Sequence, residues 1–184
     1  MRGDLLLLLA DGLVILCLTR CVLQWAKLDN RHPLMRFCIQ MTDWLVRPLH
    51  KISPSYGKWD VACVLAGLIL YYVVFMLIAF IGSPSGFGAK WIAANFLFAL
   101  LNTLKAAAYV LLMGLVIRMV SSFSRPYSEL SVIMQRIFEP LLRPFAFLRI
   151  GRIDFSGSVL VLMLWFWLSY LLPVLISRLN LWLL

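Results

Sequence analysis

Two ionisable residues lie where a charge is most expensive. Asp11 and Lys105 each interrupt a long apolar run, and at mid-bilayer such a group costs at least ~2.5 kcal/mol even on the lenient insertion scale. Three kinds of chemistry are open to them: pairing with one another, carrying an ion or proton along a polar path, or, for the lysine, snorkelling to the nearer surface. Asn102 lies at i−3 from Lys105 and Asn95 two turns above it, so that run carries a polar stripe. Depth decides whether acid and base can meet. Asp11 stands nine residues before Arg20, or ~13 Å, and Lys105 thirteen residues before Arg118, or ~20 Å, at the rise of an α-helix. If both arginines mark the same depth, the offset of ~6 Å is within reach of a lysine side chain.

Asp60 and Asp154 stand where later apolar runs begin. An aspartate there can accept backbone N–H bonds and complement the positive end of a helix. Contact with a ligand or partner is the alternative, for which Ser156 and Ser158 supply further polar atoms beside Asp154 only. His32, Cys38 and His50 are spaced by 6 and 12 residues, which matches no common zinc pattern, and the histidines read as interface residues near lipid phosphate. Cys17 and Cys21 are one helical turn apart, Cys63 opens a run, and no CxxC or CxxCH occurs. The cysteines therefore read as small buried hydrophobes. No nucleophile motif and no Gly-rich phosphate loop is present. Neither catalytic residues, nor a metal, nor a cofactor is expected, and the chain reads as non-enzymatic.

The elements that must position these residues follow from composition. The 184 residues are 63% apolar and 14% charged, with a mean hydropathy of +0.93. Soluble chains hold about 45–50% apolar and about 25% charged residues. A water-soluble domain of this length cannot hide so much apolar side chain, which excludes a soluble enzyme. About 20 apolar residues span a bilayer, and four such runs are visible: Leu5 to Trp25, Val61 to Ile81, roughly Ala93 to Val120, and Ser158 to Ser177. The first lacks a small-x-small cleavage site and contains Asp11, so it reads as a retained span. Twelve basic residues lie in or beside the two long loops and three (Arg2, Lys90, Arg178) on the other side. The positive-inside rule then predicts both loops in the cytoplasm and both termini outside. That asymmetry accounts for the net charge of +9 through topology and anionic lipid, and no nucleic-acid partner is expected.

An internal repeat organises the chain. DWLVRPL at 43–49 and EPLLRPF at 139–145 superpose at an offset of 96, and Asp60 and Asp154 follow at an offset of 94. Each half is a span, a basic loop and a span: residues 1–81, an outer connection at 82–90, and residues 91–184. An even number of spans per copy preserves orientation, which predicts halves related by an axis along the membrane normal. Leu34, Phe37, Met41 and Leu45, and likewise Leu130, Ile133, Ile137 and Leu141, recur at helical spacing among basic residues. Such helices either lie in the lipid interface or pack against the inner ends of the spans. Pro48 and Pro144 predict that they end near Arg47 and Arg143. The expected fold is an all-α membrane protein of four transmembrane helices with an amphipathic helix in each cytoplasmic loop.

The stretches LQWAKLDNRHPLMRFCIQMTDWLVRPLHKISPSYGKWD and FEPLLRPFAFLRIGRIDFS resemble the YggT (YlmG-like) family of bacterial and plastid membrane proteins. The first is similar to the family's Leu-Gln, Asn-Pro and Pro-Leu-Arg-Arg-Ile-x-Pro series, the second to its Glu-Pro-Leu-Leu-x-Pro and Ile-Asp-Phe-Ser signature. Asp60, Asp154, Arg47, Pro48, Glu139, Arg143 and Pro144 fall on these motifs. His32-Pro33 stands for Asn-Pro, and His50-Lys51 and Ala146-Phe147 stand for the paired arginines. The resemblance implies a multi-pass protein of the bacterial cytoplasmic membrane with no established enzymatic activity. Its members are associated with osmotic tolerance, cell-division gene neighbourhoods, assembly of a plastid cytochrome complex and nucleoid distribution. The expected function is membrane organisation or assembly, with the bilayer, anionic lipids and other membrane proteins or a second copy as partners. The alternative is a small ion or osmolyte channel or transporter with a path along Asp11, Asn102 and Lys105.

Overall fold

Long apolar runs satisfy their backbone polar groups most simply as helices, and the computed structural model follows them closely. It describes residues 2–29, 31–52, 60–82, 89–124, 129–143, 149–150, 153–154 and 156–183. The first span is α1 (Arg2–Trp25), the second α3 (Val61–Gly82) and the third α4 (Ala89–Ser124). The fourth comprises α6 (Ser156–Phe166), a π-helical turn (Trp167–Leu171) and α7 (Leu172–Leu183). Pro173 lies one residue beyond that turn, after Leu172; it offers no N–H and its ring crowds the carbonyl four residues back, within the turn, which explains the widening. Among the described residues, four segments are long and apolar enough to cross a membrane: Leu5–Trp25, Val61–Ile81, Trp91–Met119 and Gly157–Leu179. The loops hold α2 (Pro33–Ile52) and α5 (Glu129–Leu142). An antiparallel hairpin of two-residue strands, β1 (Arg149–Ile150) with β2 (Ile153–Asp154), precedes the fourth span, and the other regular elements among the described residues are helical.

α1, α3 and α4 pack on one another, with α2 against α1 and α3; the fourth span packs mainly on α4, with a lighter contact to α5. The two halves of the chain are therefore not equally enclosed. Small residues let the first three spans approach: Ala10, Ala66, Ala99 and Ala106 are all 2% exposed or less, as expected where helices pack without a hydrophobic driving force. At the loop end a second core joins both halves, with Leu23, Met35, Leu115, Phe138 and Leu160 among its members. A Cβ on Gly114 would lie 2.7 Å from Phe138 Cζ, so glycine lets α5 lie tightly on α4.

α1 ends in a Schellman motif: Leu28 N–H donates to the Leu23 carbonyl and Lys27 N–H to that of Gln24, at 3.1 and 2.9 Å. Lys27 holds the left-handed position at φ 58°, where glycine carries no Cβ penalty. Lys27→Gly is expected to be stabilising by about 0.5–1 kcal/mol, read as a higher melting temperature in detergent. A lower one would mean that the lysine side chain itself holds the turn.

One boundary differs from expectation. α2 does not end near Arg47 but continues to Ile52 with Pro48 inside it. Pro48 and Trp44 are exposed, so the Trp44 carbonyl freed by the missing N–H faces the surroundings rather than the core. The last turn is also held by a contact between His50 and Asp60. α5 ends at Leu142, next to Arg143; Pro144 lies outside the described residues.

Candidate functional site

The intramembrane charges meet. Lys105 Nζ lies 3.8 Å from Asp11 Oδ2, with side chains 28% and 38% exposed. Tyr71 in α3 donates its O–H to Asp11 Oδ1 at 2.5 Å, and the Lys105 ammonium stands 5.9 Å from the centre of the Tyr109 ring. One residue from each of α1, α3 and α4 thus joins a polar cluster set in an apolar core of Ala10, Val14, Leu18, Ala99 and Ala106. Both asparagines bond elsewhere. Asn102 donates to the Phe98 carbonyl of its own helix at 2.9 Å, and Asn95 lies 3.5 Å from Met76 Sδ. Nothing in the sequence marked Tyr71, because a tyrosine within an apolar run looks like its neighbours until a partner helix brings an acceptor to its hydroxyl.

A second polar cluster lies where α1, α2 and α3 converge. Arg20, 6% exposed, donates from Nη1 to Thr42 Oγ1 at 3.2 Å and stands 3.6 Å from Asp43 Oδ1. Thr42 in turn donates to the Cys38 carbonyl at 2.6 Å. Asp60 does not cap α3 through its carboxylate. Its backbone carbonyl accepts from Cys63 N–H at 3.1 Å, while Oδ2 accepts from the Cys63 thiol at 3.4 Å and lies 3.3 Å from His50 Nε2. Through Oδ2 the carboxylate joins a side-chain junction between α2 and α3, which His50 reaches from the extra turn beyond Pro48, while Oδ1 is buried without a hydrogen-bond partner. Asp154 stands opposite Arg149 in the backbone register of the hairpin, two residues before α6 starts, and its side chain lies outside the described residues.

His32 does have a capping role. Its Nδ1 accepts from Leu34 N–H at 3.3 Å and its carbonyl from Arg36 N–H at 3.0 Å, at the start of α2. The remaining motif residues lie outward. Arg47 and Pro48 are exposed, and Arg143 stands 3.9 Å from Glu139 one turn earlier, both side chains more than half exposed. A pair of that kind is worth a few tenths of a kcal/mol. Among the described residues no group of three His, Cys, Asp or Glu side chains is arranged to hold a metal.

All four cysteines are free and buried, and Cys17, Cys21 and Cys63 share a core with Val46, Ala62 and Ala66. Burial pushes the Cys38 thiol up against the opposing influence of the nearby Arg20 guanidinium, and a protonated thiol is a poor nucleophile. The folded protein is expected to resist a bulky maleimide at neutral pH and to take up four labels only after denaturation, counted by intact mass. Rapid labelling of the native protein would mean that the junction opens.

The profile of the CCB3/YggT family matches residues 3–81, a stretch that covers α2 and all but one terminal residue of each of α1 and α3. The chain is 32% identical over 154 residues to the YggT protein of Escherichia coli K12, covering 80% of this chain and 77% of that protein. The chain belongs to the YggT family. An uncharacterised Haemophilus influenzae protein is also 32% identical, over 169 residues, covering 88% of this chain and 86% of its own length. A Vibrio alginolyticus protein described by its position in the proC 3′ region matches at 32% over 162 residues, 86% of each. No solved structure matches the chain. YggT membership and four apolar helices together make this a membrane protein.

Proposed function

We propose that this YggT-family protein is a non-enzymatic component of the bacterial cytoplasmic membrane that organises or assembles other membrane components through its two basic loops. The observation that carries this reading is the Asp11–Lys105–Tyr71 cluster: the charges that a conduction path would need are turned on one another across three helices. Asn102 supports it, since its amide is spent on its own backbone. The two loops, with α2 and α5, then supply a basic surface on one side of the membrane.

The test is complementation in a strain lacking its own copy, grown under osmotic stress. A combined Asp11→Asn and Lys105→Met variant that accumulates normally and restores growth supports an organising role, because the charges are then dispensable once both are gone. A variant that accumulates normally yet leaves growth impaired favours the channel reading. Orientation is tested in the same cells with single cysteines at the exposed positions Gln40, Gln135 and Leu181, using an impermeant maleimide over a background of buried native thiols. Leu181→Cys is expected to react in intact cells and the other two only after permeabilisation. The opposite pattern would invert the topology.

A further inference from the structure

α2 carries three faces rather than two. Met35, Cys38, Thr42 and Val46 are 4% exposed or less and form the side packed on the neighbouring spans. Leu34, Phe37, Met41 and Trp44 are 45–63% exposed. Arg36, Arg47 and Lys51 are exposed as well. At roughly 100° per residue, the centres of these three sets fall about a third of a turn from one another. A helix needing only protein on one side and water on the other has no use for the second set. One lying where protein, hydrocarbon and water meet needs all three.

We propose that the Leu34–Trp44 stripe enters the acyl region of the adjoining leaflet and that Arg36, Arg47 and Lys51 beside it bind the headgroups of anionic phospholipids. Three features favour lipid over a docking protein. The indole N–H of Trp44 donates to the Met41 carbonyl at 2.9 Å, so this most exposed member of the stripe brings no unsatisfied donor into hydrocarbon. The stripe lies on a helix packed against α3, whose Val61 and Val64 near the same end are also exposed, at 37% and 39%. The flanking charges are cations, complementary to anionic headgroups and attracted by the surface potential of the leaflet. The proposal names the lipid partner of one basic loop, and it rests on the proposed function only in placing α2 at a membrane surface.

The experiment uses the full-length protein in vesicles in which a minor fraction of the lipid carries brominated acyl chains. The Trp44 signal is the fluorescence lost on Trp44→Phe, a change at an exposed site. That signal is expected to be quenched by brominated lipid and shielded from aqueous iodide. Brominated phosphatidylglycerol is expected to quench at least about twofold more than the same fraction of brominated phosphatidylcholine. The preference is expected to vanish in a combined Arg36→Gln, Arg47→Gln, Lys51→Gln variant, to persist when the arginines become lysine, and to shrink with salt. Equal quenching by the two lipids would overturn the anionic preference, and quenching by iodide alone would place the stripe in water and assign it to a protein partner. Loss of the preference on adding inorganic phosphate at constant ionic strength would assign the cations to free phosphate. Complementation under osmotic stress is a separate readout, so a failure of the organising role leaves these outcomes unchanged.

Discussion

Asp11→Asn or Lys105→Met alone is expected to lower thermal stability in detergent by about 2–3 kcal/mol, and the two together to recover most of that loss. The size follows from what each single change leaves behind. A lone charge at mid-bilayer costs about 2.5–3.5 kcal/mol on the insertion scale, reduced here because neither side chain is fully enclosed. An asparagine at position 11 would still accept the Tyr71 hydroxyl, leaving Lys105 with the more distant Tyr109 ring as its neighbour. A methionine at position 105 would leave the Asp11 carboxylate with the Tyr71 hydroxyl to satisfy it and no cation to balance it. The double change removes both charges, and replacing a buried pair is typically far milder than breaking it. Tyr71→Phe is expected to cost about 1.5–2 kcal/mol by itself, the low end for a hydrogen bond to a charged group because the Asp11 carboxylate is not fully enclosed. Strictly additive losses, with no recovery in the double variant, would show that the two charges do not interact in the folded protein.

Gly67→Leu is expected to have a comparable effect, about 3 kcal/mol, by forcing α1 and α3 apart. A Cβ at Gly67 would lie 2.9 Å from Val14 Cγ1, and Val14 is completely buried. Valine is β-branched and stiff at χ1, so it cannot swing aside as a long flexible side chain would. Gly67→Ala should cost about 1 kcal/mol and Val14→Ala a similar amount through the cavity it leaves. The combination should cost clearly less than their sum, because the methyl groups lost from α1 make room for the methyl gained on α3. Equal melting temperatures for wild type and Gly67→Leu would mean that the helices do not approach as described.

What was legible in the sequence is what consecutive residues determine. The four spans, their ends within a few residues, and the basic loops are read from local hydropathy and charge, because the bilayer imposes the same length requirement on every crossing segment. The vertical match of Asp11 with Lys105 belongs to the same class, since helical rise converts sequence position into depth. Depth alone left pairing, conduction and snorkelling all open.

Azimuth and neighbourhood came only with the tertiary structure. Rotation of α1 and α4 about their axes brings Asp11 and Lys105 to 3.8 Å, and the packing of α3 beside them adds Tyr71. Arg20 looked like a depth marker and is a buried tie from α1 to Thr42 and Asp43 of α2. Asp60 looked like a helix cap, but the turn of α2 beyond Pro48 gives its carboxylate a histidine. Periodicity could locate an apolar stripe on α2 but could not tell which part the spans would cover, and the structure buries Met35, Cys38 and Val46 while leaving Phe37, Met41 and Trp44 outside. The reason is common to all of these: hydropathy and rise are properties of one helix, whereas partners depend on which helices pack together and through which faces, and those are set by small residues such as Gly67 and Gly114 that admit close approach on one side only.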